Sequence, residues 1–291
     1  MSEESEVNTT IKVIVNPYNF NNKMITELDV KKHLIEYGIN DNINGLELYQ
    51  QAFIHKSYSE KLPEDIGENV TIAEKPEGAL NLMPNNYETL EFLGDSVYGL
   101  IISKYLYERF PDENEGFLTK MRTKLVNGEM MAKLARHLNF GPFIIMSRHI
   151  EDKCNGRNAT HILEDVFEAF IGAMFLDFNK IDNYNLLDKF YSGIGYQLCE
   201  TFVVNLIEEL IDFSELILLN TNYKEKLMRY YYELELDKPS FSEFIVDGGL
   251  NDRIFKVDVL HNKQVLAQGI AKTKKKAEQN ACKNALDKLT N

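Results

Sequence analysis

Three acidic residues share one face of a predicted helix in the segment ETLEFLGDS, residues 88 to 96. Glu88, Glu91 and Asp95 are three and four residues apart, a spacing that places their side chains on the same side of a helix. Their neighbours are apolar nearly all the way round the helix, which predicts burial. Like charges at these spacings destabilise a helix, and burying an unpaired ion costs several kcal/mol more. We therefore expect a cation beside these carboxylates.

A second acidic pair interrupts the apolar run from residue 162 to 176. Asp165 and Glu168 stand three residues apart on a predicted helix that otherwise has the composition of a core. If the two helices face one another, their carboxylates form an oxygen cage of the kind that Mg²⁺ and Mn²⁺ prefer. Two such ions can activate a water and stabilise the attacking and leaving oxygens of a phosphodiester displacement. Spacing leaves the membership of Glu164 open, and we expect it to lie outside the cage.

The alternative interpretation of both clusters is structural. The acids could lie on solvated helix faces, or they could pair with Arg122, Lys124 or Arg136. The apolar surroundings favour the metal interpretation, because solvated helix faces carry polar neighbours. Gly94 and Gly172 would let helices or a substrate approach the acids closely.

Helices must position these acids, because apolar residues recur at helical spacing from about residue 26 to residue 218. Two segments depart from that pattern: an N-terminal extension at 1 to 25, with a β-prone run at 10 to 15, and a loop at 61 to 86 that contains three prolines. A loop of that length in a compact domain is usually functional or disordered. Helices are predicted to begin near residues 26 and 46 and to cover 87–110, 116–127, 129–138 and 159–176, with a loop at 141–157 and one or two further helices at 184–218.

The charge of the chain is divided unevenly between two parts. The formal net charge is -13. Residues 1 to 221 hold 19 Lys and Arg against 35 Asp and Glu, whereas residues 222 to 291 hold 13 against 10. A carboxylate-rich module needs cations at the contact point, or a basic neighbour, to hold a polyanion. After a short linker at 219 to 222, the second part predicts an α-β-β-β-α module, with a helix at 223–235, strands at 241–246, 254–260 and 264–270, and a helix at 274–289.

Four lysines, at residue 272 and at 274 to 276, open the last predicted helix. They stand at the end where the helix macrodipole disfavours cations by a few tenths to about 1 kcal/mol each. This arrangement favours an anion that docks at the helix start, and a solvated run of charge is the alternative.

The first part of the chain resembles the ribonuclease III family, whose signature helix is very close to ETLEFLGDS. Further segments resemble the same domain in order: AFIHKSY at 52 to 58, FPDENEGFLTKMRTKLV at 110 to 126 and LEDVFEAFIGAMFLD at 163 to 177. The resemblance implies an all-α endonuclease domain, residues 26 to 218, that forms a homodimer and cuts both strands of double-stranded RNA with Mg²⁺, for which Mn²⁺ would substitute. The implied products carry 5′ phosphates and short 3′ overhangs, as in RNA processing or decay.

The resemblance also assigns roles to individual residues. The four acids that match catalytic, metal-binding carboxylates of the family are Glu91, Asp95, Asp165 and Glu168. Glu88 and Glu115 match two further acids at the catalytic valley, where they help to join the two subunits. Phe92 matches the aromatic residue that plugs into a hollow on the partner subunit, and an ordinary core Phe is the alternative.

The second part, residues 223 to 291, resembles the small α+β double-stranded RNA-binding domain, which reads the A-form shape over roughly 16 base pairs. The implied phosphate contacts are Lys272, Lys274 and Lys275. Two places depart from the family pattern. Met228 and Arg229 replace a polar pair on the first helix, and Asn251 stands where the loop between the first two strands often has a His. We expect Arg229 and Asn251 to contact RNA instead.

Several classes of protein are disfavoured. The three cysteines are too widely spaced for a disulfide framework or an ordinary zinc site. No apolar run approaches the roughly 20 residues of a membrane span, and the acidic start is unlike a secretory signal. We expect a cytoplasmic protein that binds neither a membrane nor a nucleotide cofactor.

Two alternative functions remain. A catalytically inactive protein that sequesters double-stranded RNA would be expected to lack one or more of the metal acids. A helical, metal-dependent phosphohydrolase acting on nucleotides would leave the basic module unexplained.

Overall fold

A computed structural model of the chain describes residues 13–60, 70–179, 193–218, 222–247 and 253–290. The chain forms two compact units, Met1–Asp212 and Phe213–Asn291. The elements of the first unit are β1 (Val13–Val15), α1 (Glu27–Glu36), α2 (Leu46–Ala52), β2 (Val70–Ile72), α3 (Glu88–Arg109), α4 (Glu115–Leu125), α5 (Gly128–His137), α6 (Arg148–Cys154), α7 (Thr160–Phe178) and α8 (Gly195–Leu210). Over the described residues, none of the helices has the length and apolarity needed to span a membrane.

Helix α7 runs through the core of the first unit, because its sequence is apolar on almost every side. The aromatic rings around it pack edge to face or tilted. Phe170 lies 5.0 Å from Phe140, 5.5 Å from Tyr49 and 5.7 Å from Phe202, measured between ring centroids. Aromatic pairs in these arrangements add to the stability gained from burying the rings.

Helix α3 packs directly against α7 at two glycines. A Cβ atom at Gly94 would lie 1.8 Å from the backbone oxygen of Glu168, and one at Gly172 would lie 2.2 Å from the backbone oxygen of Leu90. Only glycine permits so close an approach of two helix backbones. The expectation that these glycines allow close approach is confirmed for the helices, and the contact occurs where both helices carry acids.

Helix α3 is buried on one side only, which corrects the expectation of burial all round. Val97, Tyr98 and Ile101 are buried, whereas Phe92 and Tyr107 are 78% and 71% exposed. The single chain has no element that covers this second apolar face among its described residues.

A parallel two-stranded sheet joins the N-terminal extension to the long loop. Val13 pairs with Val70 and Val15 with Ile72. Beyond the strands, Tyr18 and Met24 of the extension and Leu80, Leu82 and Met83 of the loop pack on the buried side chains of Ile54, Tyr58 and Ile145. The first unit is mostly helical, which confirms its predicted fold class, and the small sheet is an addition to the helices. Residues 1–12 and 61–69 lie outside the described part of the chain.

Helix α6 was not predicted, since residues 141 to 157 looked like a loop. No residue of α6 is buried, so no apolar period marks it in the sequence. Local capping defines its ends. The Ser147 side chain accepts a hydrogen bond from the backbone of Ile150, and Asn155 ends the helix in the left-handed conformation, with φ 49°.

From residue 223 onward the second unit has the predicted α-β-β-β-α order, which confirms its fold class. Its elements are α9 (Phe213–Leu218), α10 (Tyr223–Glu233), β3 (Ser240–Asp247), β4 (Ile254–His261), β5 (Gln264–Ala271) and α11 (Lys274–Thr290). The strands form an antiparallel sheet in the order β3-β4-β5. A Cβ atom at Gly269 would lie 2.2 Å from the backbone nitrogen of Ala281, so α11 rests closely on β5. The oxygen of the Gln279 side chain caps α10 by accepting from the backbone N–H of Tyr223, at 2.7 Å.

Candidate metal centre and basic surface

Three of the predicted metal acids meet where α3 crosses α7. Glu91, Asp165 and Glu168 each offer a carboxylate oxygen, and these three oxygens all lie within 4.8 Å of one another. Glu168 is 6% exposed, whereas Glu91 and Asp165 are half-buried. Burial of Glu168 rules out the alternative that this acid lies on a solvated helix face.

Burial and like charge act together on these carboxyls. Desolvation, reinforced first by the charge of Asp95 and then by Glu164, raises the pKa of Glu168 to about 8. Desolvation also raises the pKa of Glu91, followed by the charge of Asp165. Without a cation, Glu168 would be largely protonated near neutral pH. The donor set, carboxylate oxygens alone, fits a hard divalent ion such as Mg²⁺ or Mn²⁺.

Two further acids of α3 and α7, Asp95 and Glu164, lie close enough to this three-oxygen group to act on it electrostatically. Asp95 is exposed on α3, one turn beyond Glu91, and its charge reaches both Glu91 and Glu168. Glu164 is turned toward the start of α5, where its carboxylate oxygens lie 2.3 and 2.9 Å from the position that a Cβ of Gly128 would take. Glu164 does not belong to the three-oxygen group.

Glu88 and Glu115 lie outside the three-oxygen group, near the starts of their helices. The Nζ atom of Lys56 lies 3.2 Å from Glu88 Oε1, and the Asn86 side chain accepts from the Glu88 backbone N–H at 2.9 Å. Glu115 is exposed in the first turn of α4, where its Oε1 accepts from the Thr119 hydroxyl at 2.8 Å. Asn86 ends the long loop, so this loop leads directly to the acidic face of α3.

Arg136 does not pair with the metal acids. Its guanidinium donates to the backbone oxygen of Asn158 and the hydroxyl of Thr160, both at 3.2 Å, at the start of α7. Arg136 is therefore not the ion-pair partner of the metal acids that the structural interpretation allowed.

Tyr87 was missed by sequence reasoning. Its hydroxyl donates to Asp165 Oδ2 at 2.8 Å. The only local signal for a role of Tyr87 is its position directly before the signature segment. Its partner Asp165 lies 78 residues further along the chain. No spacing rule pairs residues so far apart.

Phe92 is not a core residue. It is 78% exposed, and Leu100 and Tyr107, eight and fifteen residues further along α3, are 59% and 71% exposed. These intervals keep the three side chains on one helix face, so they form an exposed apolar stripe.

The four lysines at residue 272 and at 274 to 276 are exposed at the start of α11. Lys274 forms an ion pair with Glu243 of β3 at 2.6 Å. Lys272 and Lys275 are exposed and have no such pair within the described part of the chain. Arg229 lies on α10 with its guanidinium 3.7 Å from Glu233. Asn251 lies outside the described residues.

The chain is similar to several known proteins. Residues 88–179 match the family model of the ribonuclease III domain, and residues 223–289 match that of the double-stranded RNA binding motif. The chain is 38% identical to a protein of Paramecium bursaria Chlorella virus 1 over 69% of its own length and 66% of that protein. It is 32% identical to ribonuclease 3 of Listeria welshimeri, over 88% of this chain and 96% of that one. A solved structure, the nuclease domain of ribonuclease III from Campylobacter jejuni, is 30% identical, covers 65% of this chain and 100% of that chain, and has a TM-score of 0.45.

Proposed function

The chain belongs to the ribonuclease III family, and from this membership we propose that it is a divalent-metal-dependent endoribonuclease that hydrolyses both strands of double-stranded RNA. The observation that carries the proposal is the convergence of Glu91, Asp165 and Glu168 within 4.8 Å on two closely packed helices. A structural role does not explain buried like charges that raise one another's pKa. A binding protein that only sequesters RNA would not need them.

The residues of the site have separate tasks in this proposal. Glu91, Asp165 and Glu168 supply the inner carboxylate oxygens, and Asp95, exposed beside them, supplies the fourth carboxylate facing the substrate. Bound Mg²⁺, or Mn²⁺ in its place, would supply the charge that activates a water and stabilises the attacking and leaving oxygens. Glu168 must give up its proton on loading, because its pKa is raised to about 8 and only the carboxylate is a ligand.

The exposed stripe on α3 supports a homodimer. Phe92, Leu100 and Tyr107 form a single apolar face, and a second copy of the chain is the partner that the family resemblance implies. Two copies would give two centres, one for each RNA strand, and cleavage at both would leave 5′ phosphates and short 3′ overhangs. Glu88 and Glu115, both exposed, would then line the valley between the two centres.

The second unit would bring the duplex to these centres. Lys272 and Lys275 are free to contact phosphates at the positive, N-terminal end of α11, and Lys274 can join them by leaving Glu243. Arg229 and Asn251 would contact the neighbouring minor groove. Because such contacts read shape, we expect little preference for sequence.

The test is cleavage of a long RNA duplex in Mg²⁺ by the parent chain, by Glu168→Gln and by Glu164→Gln. Glu164 is the matched control, because it lies one turn away on the same helix and outside the three-oxygen group. We expect Glu168→Gln to lose about 1,000-fold or more in rate while it still binds RNA, since a catalytic metal contributes several kcal/mol. A parent chain that binds RNA and leaves it intact would support the sequestering protein instead.

The homodimer has its own test, sedimentation equilibrium of Phe92→Ser. Leu28→Ser on α1 is the matched control, because Leu28 is also 78% exposed. We expect only Phe92→Ser to shift the chain toward monomer. If the two variants had the same oligomeric state, the α3 stripe would not be the dimer interface.

A further inference from the structure

The hydroxyl of Tyr87 reaches across from the start of α3 to a metal acid of α7. It donates to Asp165 Oδ2 at 2.8 Å, and Tyr87 is only 3% exposed. We propose that Tyr87 is a positioning residue, which holds the Asp165 carboxylate in the orientation that a divalent ion requires. This inference rests on the proposed function, since it assigns a task within the same metal centre.

The backbone of Tyr87 is fixed on both sides. Its N–H donates to the backbone oxygen of Ile54 at 2.9 Å, and its own backbone oxygen accepts from the N–H of Glu91 at 2.9 Å. The residue therefore starts the helix that carries Glu91 and, through its side chain, bonds to the helix that carries Asp165. A movement of either helix would change the geometry of both acids.

The ring of His55 packs edge to face against the ring of Tyr87. The two ring centroids lie 5.8 Å apart at an interplanar angle of 69°. His55 is 7% exposed, and its Nδ1 atom accepts from the backbone N–H of Ser57 at 3.0 Å. Because His55 cannot turn away without breaking this bond, the ring of Tyr87 has little room to rotate.

The hydrogen bond gives the two oxygens of Asp165 different tasks. Oδ2 is engaged by the phenol, so Oδ1 and the remaining lone pairs are presented to the ion in a fixed orientation. Groups that orient metal ligands in this way typically change metal affinity by about 10- to 100-fold when removed. A tyrosine suits the position, because its rigid ring spans the distance between helices and its hydroxyl can donate without carrying charge.

The experiment compares Tyr87→Phe with Tyr58→Phe in the full chain, using Mn²⁺ alone as the probe and electron paramagnetic resonance to measure free Mn²⁺. Tyr58 is the matched control: it is fully buried in the same unit, and its hydroxyl donates to the backbone oxygen of Leu80 at 3.0 Å, away from the acids. We expect Tyr87→Phe to weaken Mn²⁺ binding by about tenfold and Tyr58→Phe to leave it unchanged. The Mg²⁺ concentration for half-maximal cleavage should rise by the same factor, with the rate at saturating Mg²⁺ largely restored.

The outcomes separate this inference from the proposed function. If the parent chain binds no Mn²⁺, the metal centre itself is wrong and the role of Tyr87 falls with it. If the parent binds Mn²⁺ and Tyr87→Phe binds it equally well, only the positioning role is overturned. A fall in Mn²⁺ affinity of the same size in Tyr58→Phe would also overturn it, because the effect would then come from loss of packing in general.

Discussion

Both units of this chain place like charges close together on helices, but the first unit buries the centre of its acidic cluster whereas the second exposes its lysines. Glu91, Asp165 and Glu168 of α3 and α7 are wholly or partly buried, and desolvation together with neighbouring charges raises the pKa of Glu168 and Glu91. The lysines at the start of α11 are exposed, and Lys274 pairs with Glu243. Buried charges demand a counter-ion at a fixed place, whereas exposed charges are screened and act collectively. Changes in the first unit should therefore have large and local effects, and changes in the second should have small effects that depend on salt.

The largest effect should come from Gly94→Ala, which would separate the two acid-bearing helices. The added Cβ would overlap the backbone oxygen of Glu168, and a backbone atom cannot swing aside. We expect a loss of about 3 kcal/mol or more in the free energy of unfolding, measured by urea denaturation, together with loss of Mn²⁺ binding.

Gly99→Ala on the same helix is the control for that change. Its Cβ would meet only the Arg122 guanidinium, at 3.3 Å, and this side chain can give way. Alanine is the better helix former, so we expect a gain of up to about 1 kcal/mol. If the two variants were equally stable, the close approach of α3 and α7 would not be what holds the acids together.

The second effect is a dependence of stability on pH that only the buried cluster should produce. Because the pKa of Glu168 is about 8 in the folded chain, against an ordinary value of 4.5, the folded state binds an extra proton between these pH values. The stability that this proton uptake by Glu168 contributes to the folded state is fully present below about pH 4.5, and it is lost as pH rises through about 8. We expect the free energy of unfolding of the metal-free chain to fall over this window by an amount on the order of a few kcal/mol, and the Tm to fall with it.

Glu168→Gln should flatten this fall in Tm, because glutamine carries no proton to lose. Mg²⁺ should raise the Tm of the parent chain more at pH 8 than at pH 6, since binding competes with protons. A parent and a Glu168→Gln variant with parallel Tm curves, measured by calorimetry without metal, would contradict the assigned pKa.

The sequence predicted more of the metal centre than of its surroundings, for a physical reason. Glu91 and Asp165 stand out because acids are rare on apolar helices, and that signal is local. Tyr87 and the pairing of β1 with β2 depend on partners about 60 to 80 residues away, which no local period records. Leu80, Leu82 and Met83 of the long loop pack on the cluster that contains Tyr58, a contact that the loop's own composition does not indicate.

The third effect concerns the exposed cluster, through the double variant Lys272→Ala and Lys275→Ala. Each lysine that neutralises a phosphate contributes about 0.9 to the slope of log affinity against log salt, so the slope should fall by about 2. We expect RNA binding to weaken by about one order of magnitude at moderate salt, with the same factor for unrelated duplex sequences.

Lys238→Ala is the control for the lysine variants, since Lys238 is exposed in the same unit but lies before β3. It should leave the salt slope unchanged in a filter-binding titration. Loss of Mn²⁺ binding in the double lysine variant would contradict the separation of the two clusters.

The smallest effect should come from Glu243→Gln, which releases Lys274 from its ion pair. Lys274 lies 2.6 Å from Glu243 and both side chains are largely exposed, so the pair competes only weakly with a phosphate. We expect RNA affinity to rise by about twofold at low salt and the gain to disappear as salt screens both interactions. Glu235→Gln changes the net charge equally at an exposed residue of the same unit, so it isolates the contribution of net charge alone. If the two variants gained the same affinity, Lys274 would not be a phosphate contact restrained by Glu243, and the exposed cluster would consist of Lys272 and Lys275.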